Sequence, residues 1–499
     1  MGEFLNLDLI KFNTMKKNLL LLFIVTILNT IILNGQTKKY PADIEEKIRL
    51  VENSLAGWVQ TGTNDTWTLA EEMKKFNING VSIAVIHNYQ IEWARGYGYA
   101  DVSEKRPVTE KTLFQVASIS KSLNSVGVLK LVQDKKLDLN TDINKYLVTW
   151  KFPYDEKSNS KLITLANLLS HTAGLTIHGF PGYAKGEVLP TLPQILDGQK
   201  PANTEAVRSS AEPGKSVDYS GGGITVSQMI VMDITHQPYD IFMKNNVLDP
   251  LGMTSSSFAQ PPEEKNGNLF ATGYRADGKE VPGKYHIYPE QAAAGLWTNP
   301  VDLCRYIIET QLSWQGKSSK VLTPEMTRLR LTPIMEDAAL GTFVNSRVTD
   351  SFKYFNHNGG NEGFQCTAIG CRDSGEGVVI MTNSDNGSNI YEEIANSVAT
   401  VYKWKDYYIP EIKKVVNVQG SILEKYAGKY NLNGTTITIK KEDNGLLLNV
   451  YGDAFWNVYF TSDSDFFIRE YRGFLRFKID KDNKVIGFNF NGGTVKKIE

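Results

Sequence analysis

Phe114-Gln115-Val116-Ala117-Ser118-Ile119-Ser120-Lys121-Ser122-Leu123 decides the fold, because it sets a hydroxyl and an amine one helical turn apart at the head of an apolar helix. On a helix, positions i and i+3 share a face, so the Lys121 amine can point back at the Ser118 hydroxyl. A serine nucleophile needs such a base within hydrogen-bond reach. The spacing by itself is weak, since roughly one or two chance matches are expected in a chain of this length. A second copy does occur, Ser158-Asn159-Ser160-Lys161, inside the hydrophilic run Tyr154-Asp-Glu-Lys-Ser-Asn-Ser-Lys, which reads as a solvated loop. The first copy instead leads into Asn124-Ser-Val-Gly-Val-Leu-Lys-Leu-Val-Gln, with Val126, Leu129 and Val132 on one stripe of a central, buried helix. Taken from this motif alone, Ser118 reads as a helix cap.

Outward from that helix the organisation is legible in texture. A helix is expected around Ile44 to Leu55. Gly80 to Ile86 and Ile91 to Gly98, joined at His87-Asn-Tyr-Gln, predict a β-hairpin. Helices and loops dominate from about 114 to 310. Strands return at Phe364 to Arg372 and Gly377 to Thr382, and Ile390 to Trp404 reads as a helix. Strands at both ends with helices between predict one mixed sheet closed by its termini. From Ser421 the chain changes to short β-rich runs, Thr435 to Lys440, Leu446 to Tyr451, Phe474 to Ile479 and Val485 to Phe490, separated by Asn, Asp and Gly turns. These predict a small all-β barrel or sandwich. The expected domains are 1–35 as an N-terminal extension and signal peptide, 36–406 as the first globular domain, 407–420 as a linker and 421–499 as the all-β domain.

Composition narrows the function. The 499 residues are 41% hydrophobic and 22% charged, the profile of a soluble globular protein. Lys plus Arg at 54 against Asp plus Glu at 55 gives a formal net charge of -1, which offers no footprint for nucleic acid or an anionic membrane surface. Cys304, Cys366 and Cys371 are too few for a disulfide scaffold and match no zinc spacing with the six histidines, so no metal is expected. Cys366 and Cys371 fall on one strand at an odd offset, which points them to opposite faces and predicts no bridge between them.

Near the start, Met15-Lys16-Lys17 precedes the apolar run Leu19 to Leu33 and then Asn34-Gly35-Gln36, the parts of a secretory signal peptide. Fifteen residues fall short of the roughly twenty that span a bilayer. Export to the periplasm or medium is expected, with cleavage near Gly35 and no stable membrane insertion beyond the signal segment. Residues 1–14 precede the second methionine and read as an upstream start or an expression remnant.

Two later segments strengthen the first motif. Tyr219-Ser-Gly-Gly-Gly223 follows the turn-rich Glu212-Pro-Gly-Lys-Ser-Val-Asp, which sets a tyrosine hydroxyl on a loop. His357-Asn-Gly359-Gly360 runs into Asn361-Glu-Gly-Phe and a strand, with glycines that let backbone approach a ligand closely. In this order the chain resembles the serine β-lactamases and penicillin-binding proteins, in the class C-like branch that also holds esterases, D-stereospecific peptidases and DD-carboxypeptidases. The resemblance spans residues 45 to 405 and extends to Leu168-Leu-Ser-His-Thr-Ala-Gly-Leu175, Pro250-Leu-Gly-Met253, Thr272-Gly-Tyr274 and Ala294-Gly-Leu-Trp-Thr-Asn-Pro-Val-Asp302.

The resemblance implies an α+β domain, an antiparallel sheet flanked by helices plus an all-helical subdomain, followed by the β-rich extension. It implies Ser118 as the acylated nucleophile, Lys121 as its base and Tyr219 as the phenol that shuttles a proton to and from the leaving group. His357 stands where many members carry lysine and would offer a donor or positive charge to a substrate carboxylate. With Gly359 and Gly360 it would bind substrate, and the N–H groups of Ser118 and Gly360 match the oxyanion-hole positions. Gly221 departs from the pattern, which more often has asparagine two residues after the tyrosine to hold the substrate's acyl amide. His171 reads as a hydrogen-bonding residue of a helix-turn, distant from the motifs in sequence. Lys265-Asn266-Gly267 imitates the third motif from within a polar loop and is rejected, and Trp297 reads as a core or pocket-wall residue.

The expected function is an exported serine hydrolase acting through an acyl-enzyme on an ester, a D-amino-acid amide or peptide, or a peptidoglycan-related substrate, without cofactor. Its partner is a small-molecule or peptide substrate, and the sequence leaves the oligomeric state open. Two rivals stand beside it: a penicillin-recognising protein that acylates and turns over very slowly, and a non-catalytic binding or scaffold protein.

Overall fold

The structure is a computed structural model that describes residues 39–62, 65–346, 352–432, 434–443, 445–449, 455–490 and 493–499. The apolar segment read as a signal peptide lies outside the described residues. Among the described residues no helix is long and apolar enough to cross a membrane.

The sheet is built from strands at both ends of the first domain. They are β1 (Gly80–His87), β2 (Gln90–Asp101), β3 (Arg106–Pro107), β4 (Phe343–Asn345), β5 (Tyr354–Asn361), β6 (Phe364–Cys371) and β7 (Gly377–Thr382), in the spatial order β3-β2-β1-β7-β6-β5-β4. Every neighbouring pair is antiparallel, so the sheet is not mixed. Each end of the chain folds into hairpins, and β7 joins β1 in the opposite direction. The β1–β2 turn, Asn88-Tyr89, has positive φ at both residues, 53° and 63°. That geometry matches the right-handed twist of the flanking strands.

Period-2 alternation decides the layers. In β1, Ala84 and Ile86 face one core while Val81, Ile83 and Val85 face another. β7 divides likewise, with Val379 and Met381 opposed to Val378 and Ile380. Both faces are therefore covered. Helices α1 (Ala42–Glu52) and, near the domain's end, Ser388–Val401 cover the second face; α5 (Pro300–Trp314) covers the first, and α2 (Ser120–Gln133), α3 (Gly221–Thr235) and α4 (Gln291–Ala294) pack into the same core beyond it. We call Ser388–Val401 α6. Each fully buried aliphatic side chain contributes about 1.5–3 kcal/mol. Cys366 lies in the first core and Cys371 in the second, both as free thiols.

The helix α2 is buried on nearly every side, including its polar residues, and each of these has a partner. Ser122 Oγ donates to the Gly341 carbonyl at 2.7 Å, Ser125 Oγ to Leu340 at 2.8 Å, and Asn124 Nδ2 to Ser227 Oγ at 2.9 Å. Satisfied polar groups in a dry setting fix a helix in register, because any slip would leave them unpaired.

Beyond the first domain, strands β8 (Gly428–Leu432), β9 (Thr435–Glu442), β10 (Gly445–Asn449), β11 (Trp456–Phe460), β12 (Asp465–Phe467), β13 (Leu475–Ile479), β14 (Val485–Phe490) and β15 (Gly493–Lys497) close into an eight-stranded antiparallel barrel. Barrel rather than sandwich follows from β8 pairing with β15, which leaves no open edge. Tyr426, Phe466, Phe477 and Phe488 fill it, with Tyr426 stacked on Phe477 at 3.7 Å between centroids. Tyr426 comes from a helical turn, Gly420–Tyr426, that precedes the first barrel strand. The stretch 407–420, expected as a linker, is tied to the first domain instead: Tyr407 is buried, and Glu411–Ile412 pairs in parallel with Val59–Gln60.

Candidate active site

Ser118 sits in the 3-10 turn Ala117–Ile119 that feeds directly into α2. The α2 N-cap is Ile119 and no side chain caps it, so the cap reading of Ser118 does not hold. Ala117 adopts φ +47°, a left-handed conformation costly for a residue with a Cβ, and the turn thereby presents the Ser118 side chain to a cavity. One turn on, Lys121 Nζ donates to Ser118 Oγ at 2.8 Å and to the Ala293 carbonyl at 2.7 Å. Lys121 is 2% exposed, and burial lowers its pKa to about 7. A large neutral fraction is thus present at physiological pH.

Tyr219 immediately precedes α3, whose cap Ser220 accepts from the Gly223 N–H at 2.9 Å and donates to the Thr176 carbonyl at 2.8 Å. The Lys121 ammonium lies 5.1 Å from the centre of the Tyr219 ring. Burial raises the phenol above its usual range, only partly opposed by a hydrogen bond with Ser118. Tyr219 therefore rests as the neutral phenol, while Lys121 is the group of the pair that is largely an uncharged amine near pH 7.

Strand β5 forms the opposite wall, its Asn356 end paired with β4 on the side away from β6. Its hairpin with β6 closes on Asn361 and Phe364 around a two-residue turn. By the alternation of antiparallel ladders, Gly360, opposite Gln365, points its N–H away from β6. Ser118, Lys121, Tyr219, His357, Gly359 and Gly360 all line one cavity of about 480 Å³.

His357 corrects one expectation. It is 4% exposed, and its Nδ1 donates to the Asn358 carbonyl at 2.6 Å. Burial, then the nearby Lys121, lower its pKa to about 3. It carries no positive charge near neutrality, and Nε2 is left as a buried acceptor without a partner. A substrate group meeting it there must be a donor, not a carboxylate.

His171 is not distant from the motifs. Its ring lies 4.2 Å from that of Tyr219; its carbonyl accepts from the Asp218 N–H at 2.7 Å and its Nδ1 from the Ser220 N–H at 3.2 Å. The two bonds grip the backbone on either side of Tyr219. Burial, reinforced by Lys121, keeps this imidazole neutral too.

Three residues that sequence reasoning passed over join the pocket: His178, Phe180 and Phe343. The His178 ring lies 4.8 Å from Tyr219. The segment carrying it explains Gly221. The Gly221 and Gly222 N–H groups donate to the His178 and Ile177 carbonyls, each at 3.0 Å. A Cβ on Gly221 would meet the His178 oxygen at 3.0 Å and the Phe180 ring at 3.2 Å. The space next to position 221 is filled by this segment. Three of only six histidines converge here, a clustering that their spacing in the chain does not signal.

The other tempting residues fall elsewhere. Ser158 Oγ donates to the Asp155 carbonyl at 2.8 Å and Lys161 pairs with Glu212, so the second Ser-x-x-Lys forms no unit. Lys265-Asn266-Gly267 lies in the 3-10 turn Glu264–Leu269, away from the cavity lining. Trp297 is fully buried against Phe270, Tyr285 and Phe364, a core residue and not a pocket wall.

Comparison with known proteins agrees with this architecture. The family model described as Beta-lactamase matches residues 68–400. Penicillin-binding protein 4* of Bacillus subtilis (strain 168) is 24% identical over 438 residues, covering 83% of this chain and 93% of that protein. Among solved structures, the octameric penicillin-binding protein homologue from Pyrococcus abyssi superposes with a TM-score of 0.58 at 21% identity, covering 86% of this chain and 98% of the other. The D-amino acid amidase from Ochrobactrum anthropi SV3 gives 0.55 at 21% identity, covering 72% and 98%. These two similarities speak to the fold.

Proposed function

We propose, from the premise that the chain belongs to the Beta-lactamase family of serine hydrolases, that it hydrolyses an ester or a D-amino-acid amide through an acyl-enzyme on Ser118. The observation that carries the reading is the 2.8 Å contact between Lys121 Nζ and Ser118 Oγ, made by an amine whose burial leaves it largely neutral at pH 7. Neutral Lys121 takes the Ser118 proton as Oγ attacks the substrate carbonyl. The N–H groups of Ser118 and Gly360 receive the oxyanion, where donors aimed at developing charge supply much of the rate. The Tyr219 phenol gives its proton to the leaving group and is resupplied from Lys121. Water then enters along the same path in reverse to release the acid.

Substrate choice follows from the filled space beside Gly221. With no side-chain amide at 221 and the Phe180 ring in its place, that side of the pocket suits an apolar acyl or ester group better than the acyl amide of a penicillin. The similarity to a D-amino acid amidase keeps small amides within the proposal. Export, proposed from Lys16-Lys17 and the Leu19 to Leu33 run, would place the mature N-terminus near Gln36, which N-terminal sequencing of the secreted fraction tests.

Incubation with a fluorophosphonate or a fluorescent penicillin, followed by peptide mass mapping, tests the nucleophile. The adduct is expected on Ser118 and absent from Ser118→Ala; equal labelling of that variant, or an adduct on Ser158, overturns the assignment. Turnover of p-nitrophenyl esters and D-amino-acid amides, compared with penicillins, tests the substrate class. A burst without turnover on every substrate would favour the slowly deacylating, penicillin-recognising alternative.

A further inference from the structure

On the face of the sheet away from Ser118, a cavity of about 210 Å³ lies between α6 and the barrel. Four rings wall it, Trp58, Trp456, Tyr471 and Phe490, with Ile468 between them. Among the described residues the charged ones lining it are Glu392, Glu393 and Glu470, with no Lys or Arg. Glu393 is 2% exposed and, apart from the proton it shares with Glu72, no donor among the described residues reaches its carboxyl oxygens; Glu470 Oε2 likewise has none.

The nearby cations are already engaged. Lys75 pairs with Glu72 at 3.2 Å, stands 3.7 Å from the other oxygen of Glu470, and lies over the rings of Trp67 and Phe76. Arg469 donates to the Asp65 carbonyl and lies 4.0 Å from the centre of the Trp67 ring. Burial, then the adjacent carboxyls of Glu72 and Glu470, push the Glu393 carboxyl well above its usual range, so a proton is shared between Glu72 and Glu393.

Buried acceptors without donors are costly, and the cost is relieved by a partner that brings N–H groups. Aromatic faces attract a cation as well. Among the described residues no group of His, Cys, Asp or Glu side chains converges to hold a metal ion, so these three carboxyls suit an extended organic cation. We propose that this cavity binds a primary alkylammonium group, its N–H donors meeting Glu393 and Glu470 and its carbon stem lying on the Trp58 and Trp456 rings. A quaternary ammonium would satisfy the rings and leave the carboxyls without donors. The lining comes from both domains, so an occupant would also hold the barrel against α6. Exposed Ser388 and half-buried Glu392 at the rim leave it open to solvent.

Calorimetric titration of the full chain with n-butylammonium chloride tests the site, against sodium chloride and tetramethylammonium chloride at equal ionic strength. One saturable site is expected for n-butylammonium, with tetramethylammonium at least tenfold weaker. Glu393→Gln and Glu470→Gln should each weaken binding at least tenfold while ester turnover at Ser118 is unchanged. No saturable binding, equal binding of tetramethylammonium, or unaltered affinity in the glutamine variants overturns the proposal. Should Glu393→Gln fold poorly by circular dichroism, Glu470→Gln, nearer the rim, decides the question alone.

Discussion

Gly359 and Val116 are in backbone contact: a Cβ on Gly359 would lie 2.1 Å from the Val116 carbonyl oxygen and 3.1 Å from the Ser118 nitrogen. The strand that carries His357 and Gly360 is thereby pressed against the turn that carries the nucleophile. No L side chain fits between them.

Gly359→Ala must separate β5 from that turn by a sizeable fraction of an ångström. Because a displacement of about 1 Å can cost about 100-fold in rate, kcat/KM for an activated ester is expected to fall about 100-fold. The melting temperature should fall as well, since overpacking costs about 1–3 kcal/mol. An alanine variant with wild-type kcat/KM contradicts the contact.

Activity should follow the titration of Lys121. The neutral amine is the base, so kcat/KM is expected to rise with pH through about 7 and then level, as Lys121 loses its proton. The folded chain holds this proton less tightly than the unfolded chain, whose value is near 10.5, so Lys121 destabilises most below pH 7 and the loss is recovered towards 10.5. Lys121→Met should remove the limb and cost about 100- to 10,000-fold in kcat. A limb in the native protein near 10 contradicts the assignment.

Gly221→Asn is not expected to confer lactam hydrolysis. Its side chain must displace the His178-Gly179-Phe180 segment, which contacts Tyr219 through His178. Stability should fall by about 1–3 kcal/mol and ester turnover with it. Measured side by side, a stable variant with raised penicillin turnover would show that the segment yields freely.

Glu290 offers a test of stability against pH. Fully buried beside Tyr288, with neither carboxyl oxygen receiving a donor, it has its pKa raised by burial to about 8 from an ordinary value near 4.5. Its contribution is present in full below about 4.5 and is lost as pH rises through about 8. A tenfold change in proton affinity corresponds to about 1.4 kcal/mol. Glu290→Gln should therefore be more stable than the native chain at pH 9 and similar at pH 5 in urea denaturation. A constant difference across that range contradicts a protonated Glu290.

The features legible in sequence are those whose physics is local. Alternation in β1 and β7, the Asn88-Tyr89 turn and the Ser118–Lys121 spacing each depend on residues a few positions apart. His171 reads as remote because 48 positions separate it from Tyr219, and the turn it occupies at φ +57° brings it back only through its bonds to residues 218 and 220. The charge of His357 escapes sequence reading for a similar reason, since burial by the folded chain sets it and residue type does not. The 407–420 segment carries no core pattern of its own, and only its pairing with residues 59–60 fixes it. Glu393 looks like an ordinary helix-surface residue until the barrel covers it.

The seam between β1 and β7 pairs Val81 with Thr382 and Ile86 with Gly377. Closing a loop of that length is entropically expensive before any strand contact rewards it, and long-range pairing of this kind slows folding. On the ribosome the β1–β2 hairpin and the whole helical insertion emerge while the central partner of β1 is still unmade. The nascent chain therefore carries an unpaired, apolar β1 edge until residue 382 is out, and that interval is when chaperones or proteases meet it.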